Sequence, residues 1–205
     1  MKARAVVLCT LVLLIVPALY ARGKKAAPTD VGTYKDWGPD IDEIKINQTF
    51  RIADYDKIIV EPFDTANTPL PDQKEKWYGT MKSALAASTE WFMEAFPKEL
   101  KAKATVEESS SPRKSAKTLI IRGTVDSMDP GSRAGRYFGG FGAGSASSKV
   151  SIDIVDARSG KVLAHVAQAR RSGGTWKGGG GNDLAVMRDS IHAIAQDMAH
   201  VLDSF

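Results

Sequence analysis

The sequence has little of what enzymes most often use for chemistry: one cysteine and three histidines in 205 residues. The cysteine, Cys9, lies inside an apolar amino-terminal run. With that run removed no thiol remains, which excludes disulfides, thiolate catalysis and cysteine-based zinc sites. His192 and His200 are separated by roughly 12 Å along a helix at about 1.5 Å per residue, too far to share a metal ion. Each follows an aspartate by three positions, Asp189 and Asp197, the spacing of ordinary surface pairs. His165 falls in an extended run on the side opposite Val162, Ala164 and Val166, and reads as a half-exposed sheet residue. No Gly-x-Ser-x-Gly elbow and no His-Glu-x-x-His zinc motif occurs. No catalytic residue, metal or cofactor is therefore expected.

Long apolar runs are scarce as well. Residues 5–19 form the longest, about 15 residues, against the roughly 20 that span a bilayer as a helix. Lys2 and Arg4 precede it, Pro17 disturbs its end, and small residues follow around Ala21. That is the pattern of a signal peptide over residues 1–21, cleaved after Ala21, and it predicts an extracytoplasmic location, periplasmic or secreted. About 184 residues would remain, enough for one domain with a sizeable core. A strong charge of one sign is lacking too. The sequence pI is 9.1, but loss of Lys2 and Arg4 lowers the formal charge from +4 to about +2, so no basic field argues for nucleic acid.

Residues 22–50 are polar, contain Pro28, Gly32, Gly38 and Pro39, and read as a flexible tether. The domain is expected over residues 51–205. Ile58, Ile59 and Val60 form a continuous β-branched run that suits a buried strand. Asp72 stands as an N-cap ahead of a helical stripe of Trp77, Met81, Ala84, Leu85, Ser88, Phe92, Ala95 and Phe96, which Pro97 should end or kink.

Residues 117–128 alternate, with Leu119, Ile121, Gly123 and Val125 on one face, and residues 149–155 alternate through Val150, Ile152 and Ile154. Residues 156–160 form a hairpin connection in which Asp156 bonds forward and Gly160 takes a positive φ. A strand over residues 161–169 follows. Asn182 or Asp183 then caps a last helix with Leu184, Met187, Ile191, Ile194, Met198, Val201 and Phe205 in its stripe. The order β-α-β-β-β-α predicts an α+β fold, a mostly antiparallel sheet with two helices packed on one face.

Two glycine tracts stand out, residues 131–148 (GSRAGRYFGGFGAGSASS) and 173–181. Neither is a nucleotide loop: after Gly140 and Gly142 a dinucleotide fingerprint needs glycine where Ser145 stands, and the Lys-Ser/Thr ending of a P-loop is missing. The second tract leads into a helix N-terminus, but Asp183 already places a carboxylate there.

The run GSRAGRYFGGFGAGSA, followed by a strand and then VDARSGKVL, resembles the DUF4410 family of bacterial extracytoplasmic proteins, with similarity expected from Tyr55 to Phe205, the last helix included. The resemblance implies fold and compartment and no catalytic residue. Many members look like lipoproteins, and Cys9 departs from that pattern because it lies before the end of the apolar run. Arg133, Arg136, Tyr137, Phe138 and Phe141 place basic and aromatic groups on a backbone with little side-chain cover. They are the candidate partner-binding residues, aromatics as anchors and arginines as anion contacts, for an envelope protein or a membrane surface. The expected function is thus a non-enzymatic cell-envelope binding or assembly module. A small extracytoplasmic hydrolase or ligand-binding enzyme is the alternative, and the oligomeric state is left open.

Overall fold

The computed structural model describes residues 27–38, 41–113, 115–131, 146–172 and 183–205. Seven strands form one sheet: β1 (Gly32–Trp37), β2 (Ile41–Ile46), β3 (Lys57–Val60), β4 (Thr105–Glu108), β5 (Thr118–Asp129), β6 (Ala146–Asp156) and β7 (Val162–Ser172). Two helices, α1 (Tyr78–Glu99) and α2 (Asp183–Leu202), pack side by side on one face. The α+β expectation holds. The sheet order is β1-β2-β7-β6-β5-β3-β4, and it is mixed, because β3 pairs in parallel with both β4 and β5.

That placement explains why residues 58–60 carry no alternation. A strand between two parallel partners is buried on both sides and reads as a continuous apolar run. Ile58 and Val60 face the main core under the helices, while Ile59 joins Ile120, Val155 and Ala157 in a smaller cluster on the other face. The alternation of β5 and β6 points Leu119, Ile121, Val125, Val150, Ile152 and Ile154 inward as expected. In β7 a bulge opposite Ile154 and Val155 changes the phase. Leu163 and Ala164 enter the main core, and Val162 packs on the opposite face, away from Ala164 and Val166.

The tether reading of residues 22–50 is corrected over residues 32–46. There β1 and β2 form a hairpin, and β2 adds to the sheet beside β7, with Ile44 opposite Val166. Ile41, Ile44 and Ile46 are buried, as is Trp37, whose Nε1–H donates to the Pro28 carbonyl at 2.7 Å. Gly38, with φ of +62°, makes the turn. Phe205 closes this corner, its ring stacked on Phe50 at 4.4 Å and on Trp37 at 6.1 Å.

α1 buries the expected stripe, Met81 through Phe96. It starts later than predicted, because Asp72 turns onto its own Lys74 amide at 3.0 Å and caps nothing in α1. Pro97 lies within the last turn without ending the helix, since only one amide bond is forfeited there. The hairpin between β6 and β7 forms as read: Asp156 Oδ1 accepts from the Ser159 amide at 2.7 Å, and Gly160 has φ of +72°.

Tyr55 ties the Phe50 corner to that hairpin, its hydroxyl 3.3 Å from Asp156 Oδ2. Burial first, and then the Asp156 charge and hydrogen bond, push the phenol up to about 12. Burial opposes the Asp156 charge in turn, but hydrogen bonds from Ser159 and Tyr55 outweigh it and hold that carboxyl below its ordinary value. Because the folded state keeps the Tyr55 proton above the unfolded value of about 10, the contact contributes fully below that pH and is lost as pH rises toward 12. Alkaline titration at 295 nm should show a last phenolate step near 12 that Tyr55→Phe removes. Ionisation of every tyrosine together near pH 10 would contradict the assignment.

Candidate functional site

Two of the buried polar side chains, Gln168 and Asp197, meet where β7 packs on α2. Asp197 lies one helical step from both Ile194 and Val201, so the period that buries those side chains carries the carboxylate inward with them. There it accepts two bonds from Arg170, Nε to Oδ2 at 2.6 Å and Nη2 to Oδ1 at 2.5 Å. Gln168 Nε2 donates to the same Oδ2 at 2.7 Å, and Gln168 Oε1 accepts the Asp42 amide at 2.9 Å. Asp42 returns the bond, its Oδ2 accepting the Ala169 amide at 2.8 Å. One network thus fastens β2, β7 and α2 together.

This overturns the reading of Asp189 with His192 and of Asp197 with His200 as surface pairs. Asp197 is buried against Arg170, and His192 reaches across to α1, its Nε2 2.8 Å from Glu94 Oε2. Arg188 binds the same Glu94 oxygen at 2.6 and 2.9 Å. Hydrogen bonds from His192 and Arg188 hold the Glu94 carboxyl below its ordinary value. The cluster clamps the two helices. His165 is half-exposed on the open sheet face, its Nδ1 2.7 Å from Asp153 Oδ1 on the adjacent strand. Among the described residues no three His, Cys, Asp or Glu side chains converge as metal ligands.

Just beyond the Arg170 network lies the end of the sheet that carries both glycine tracts. β5 leads into residues 132–145 and β6 leads out of them, with Asp129 paired to Ser147. β7 leads into residues 173–182, with Ser172 paired to Ala146. The two tracts are therefore rooted on three adjacent strands, neighbours about 4.8 Å apart. Lys149 and Arg171 are exposed on the outer face of these stems, and Arg170 lies on the inner face. The candidates Arg133, Arg136, Tyr137, Phe138 and Phe141 lie outside the described residues, as do the glycines of the second tract. Asp183, where the second tract ends, is buried at the first position of α2.

Ser148 belongs to the stem of β6, opposite Arg170 and Met128. Its Oγ is buried and has no hydrogen-bond partner among the described residues. A hydroxyl left so in the interior is a cost that methyl does not carry. Ser148→Ala should leave stability unchanged or raise it by about 1 kcal/mol in urea unfolding. A loss of similar size would show that the hydroxyl is bonded.

The span that holds these stems is recognisable. Residues 58–174 match the family described as a domain of unknown function, DUF4410. The chain belongs to the DUF4410 family. The DUF4410 span runs from the central parallel strand β3 through β7 and so contains the first glycine tract, the stems of both and the Asp156 hairpin. It stops short of α2, which supplies Asp197. No curated protein matches the chain. Among solved structures, the PelC dodecamer from Paraburkholderia phytofirmans is similar at 14% identity and a TM-score of 0.42, over 75% of this chain and 96% of that one. A protein from Xanthomonas campestris is similar at 12% identity and a TM-score of 0.37, over 78% and 93%. At those levels neither carries an assignment to this chain.

Proposed function

We propose that this DUF4410 protein is a non-enzymatic binding or assembly module of the bacterial cell envelope, exported by the leader over residues 1–21. Its contact surface is the glycine, arginine and aromatic stretch, with Arg133, Arg136, Tyr137, Phe138 and Phe141 meeting an envelope protein. The observation that carries the reading is the rooting of both glycine tracts on adjacent strands of one sheet end. Behind that end, the Arg170, Asp197 and Gln168 network holds sheet and helix together. Rigid stems under residues of low side-chain bulk suit a surface that presents aromatic anchors to a partner, since anchors held in place lose less freedom on binding.

A photo-crosslinking residue at position 137, introduced in cells, should yield a discrete adduct with one envelope protein. The same residue at Lys35, on the far edge strand, should not. Adducts of equal yield at both positions, or lipid adducts alone at 137, would contradict a protein partner. Cell fractionation tests the compartment: the mature chain is expected outside the cytoplasm and shortened by the leader.

A further inference from the structure

A second feature lies away from the stems of the glycine tracts, on the sheet face opposite α1 and α2. β4 and β5 both run parallel to β3 and lie on either side of it. The chain must therefore travel back the length of β3 between the end of β4 at Glu108 and the start of β5 at Thr118. α1 occupies the inner face. Residues of the return segment line a cavity together with Lys57 and Ile59, whose side chains point to the outer face, so the segment crosses there. Its described residues form no helix or strand, and a cavity of about 360 Å³ remains between it and the sheet.

The chemistry of the cavity is uneven. Ile59 and Pro112 supply apolar wall, and Ser109, Ser111 and Ser115 line it with hydroxyl-bearing residues. Lys57 Nζ is already held by Glu107, at 3.1 and 3.2 Å from its two carboxylate oxygens. Arg113 lines the same cavity with no carboxylate partner among the described residues. Among the described lining residues charge is thus balanced except for one guanidinium, a planar fork that fits a carboxylate bidentately. Among these residues a dianionic phosphate would meet Glu107 with one uncompensated cation, Arg113, to hold it.

We propose that this cavity binds a small monocarboxylate with an apolar body, its carboxylate on Arg113 and its body on Ile59 and Pro112. The site is independent of the proposed partner surface, and it gives the domain a ligand.

The test is a titration of the isotope-labelled domain with benzoate, followed through the amide resonances of Ser109, Ser111 and Thr118. Saturable shifts are expected, with a Kd in the range of about 1 mM. Arg113→Gln should weaken binding at least about tenfold, and Glu107→Gln, which frees Lys57, should strengthen it about threefold. Benzamide, the neutral counterpart, should give no saturable shift. The proposal is overturned by an absence of saturation at about 20 mM benzoate, by equal binding of benzamide, or by an unchanged Kd in Arg113→Gln. Tighter binding of inorganic phosphate than of benzoate overturns the ligand class.

Discussion

Replacing Asp197 by alanine is expected to cost about 3 kcal/mol or more of folding stability, the range seen when one member of a buried ion pair is removed. The loss has two sources. Arg170, with 30% of its side chain exposed against 6% for Asp197, would lose both of the bonds that this carboxylate accepts from it. Gln168, 1% exposed, would lose the Asp197 oxygen that accepts from its Nε2. Removing one partner of a buried hydrogen bond costs more than the bond contributes when made. The double replacement Arg170→Met with Asp197→Leu should therefore be less harmful than Asp197→Ala alone, because it removes both charges and keeps apolar volume. Urea unfolding of the three variants decides the matter. A loss below about 1 kcal/mol for Asp197→Ala would mean that the pair behaves as a surface bridge.

Gly123→Val should be the most damaging change within the sheet, at the upper end of the about 1–3 kcal/mol typical of overpacking. A Cβ at Gly123 would lie 2.5 Å from Phe63 Cε1. Phe63 has no free direction in which to yield, because its ring packs against Phe92 at 5.1 Å and Phe92 against Phe96 at 5.1 Å. Its own amide is fixed as well, donating to Thr89 Oγ1 on α1 at 2.8 Å. The glycine thus lets an aromatic ring lie directly on the strand and pass the contact to the helix. In a Phe63→Leu background Gly123→Val should cost less, and that coupling is what a double-mutant cycle measures. Additive losses would place the damage elsewhere.

The elements that were legible in the sequence are those whose own residues carry a period. β5 and β6 alternate, α1 and α2 show stripes at helical spacing, and Asp156 with Gly160 marks a turn by chemistry that acts within five residues. β4 was not legible because Thr105–Glu108 is an edge strand with little buried surface, paired only through β3. β1 and β2 did carry a signal, the isoleucines at 41, 44 and 46 beside Trp37. Gly38 and Pro39 made the segment look like a linker, when a hairpin is punctuated by the same residue types.

The candidate site divides in the same way. That the first glycine tract connects two strands could be read from the alternation on either side, although its last three residues, 146–148, belong to β6. That both glycine tracts leave one end of the sheet depends on strand register, which no local pattern encodes. Asp197 shows the limit most plainly. Its spacing from His200 reads as a surface pair, but its steps of three and four residues from Ile194 and Val201 carry it inward, and its partner Arg170 stands on another element that no local pattern points to.

The central claim is that the arginines and aromatics of the first glycine tract are the surface by which this DUF4410 domain holds an envelope protein. The direct measurement is capture of the crosslinked partner by the purified domain and by its Arg133→Ala, Arg136→Ala, Phe141→Ala triple variant, with thermal unfolding of both. The account predicts that capture falls at least about tenfold, the scale of a lost hot spot, while the unfolding midpoint is unchanged. Equal capture by both proteins at equal stability would contradict it.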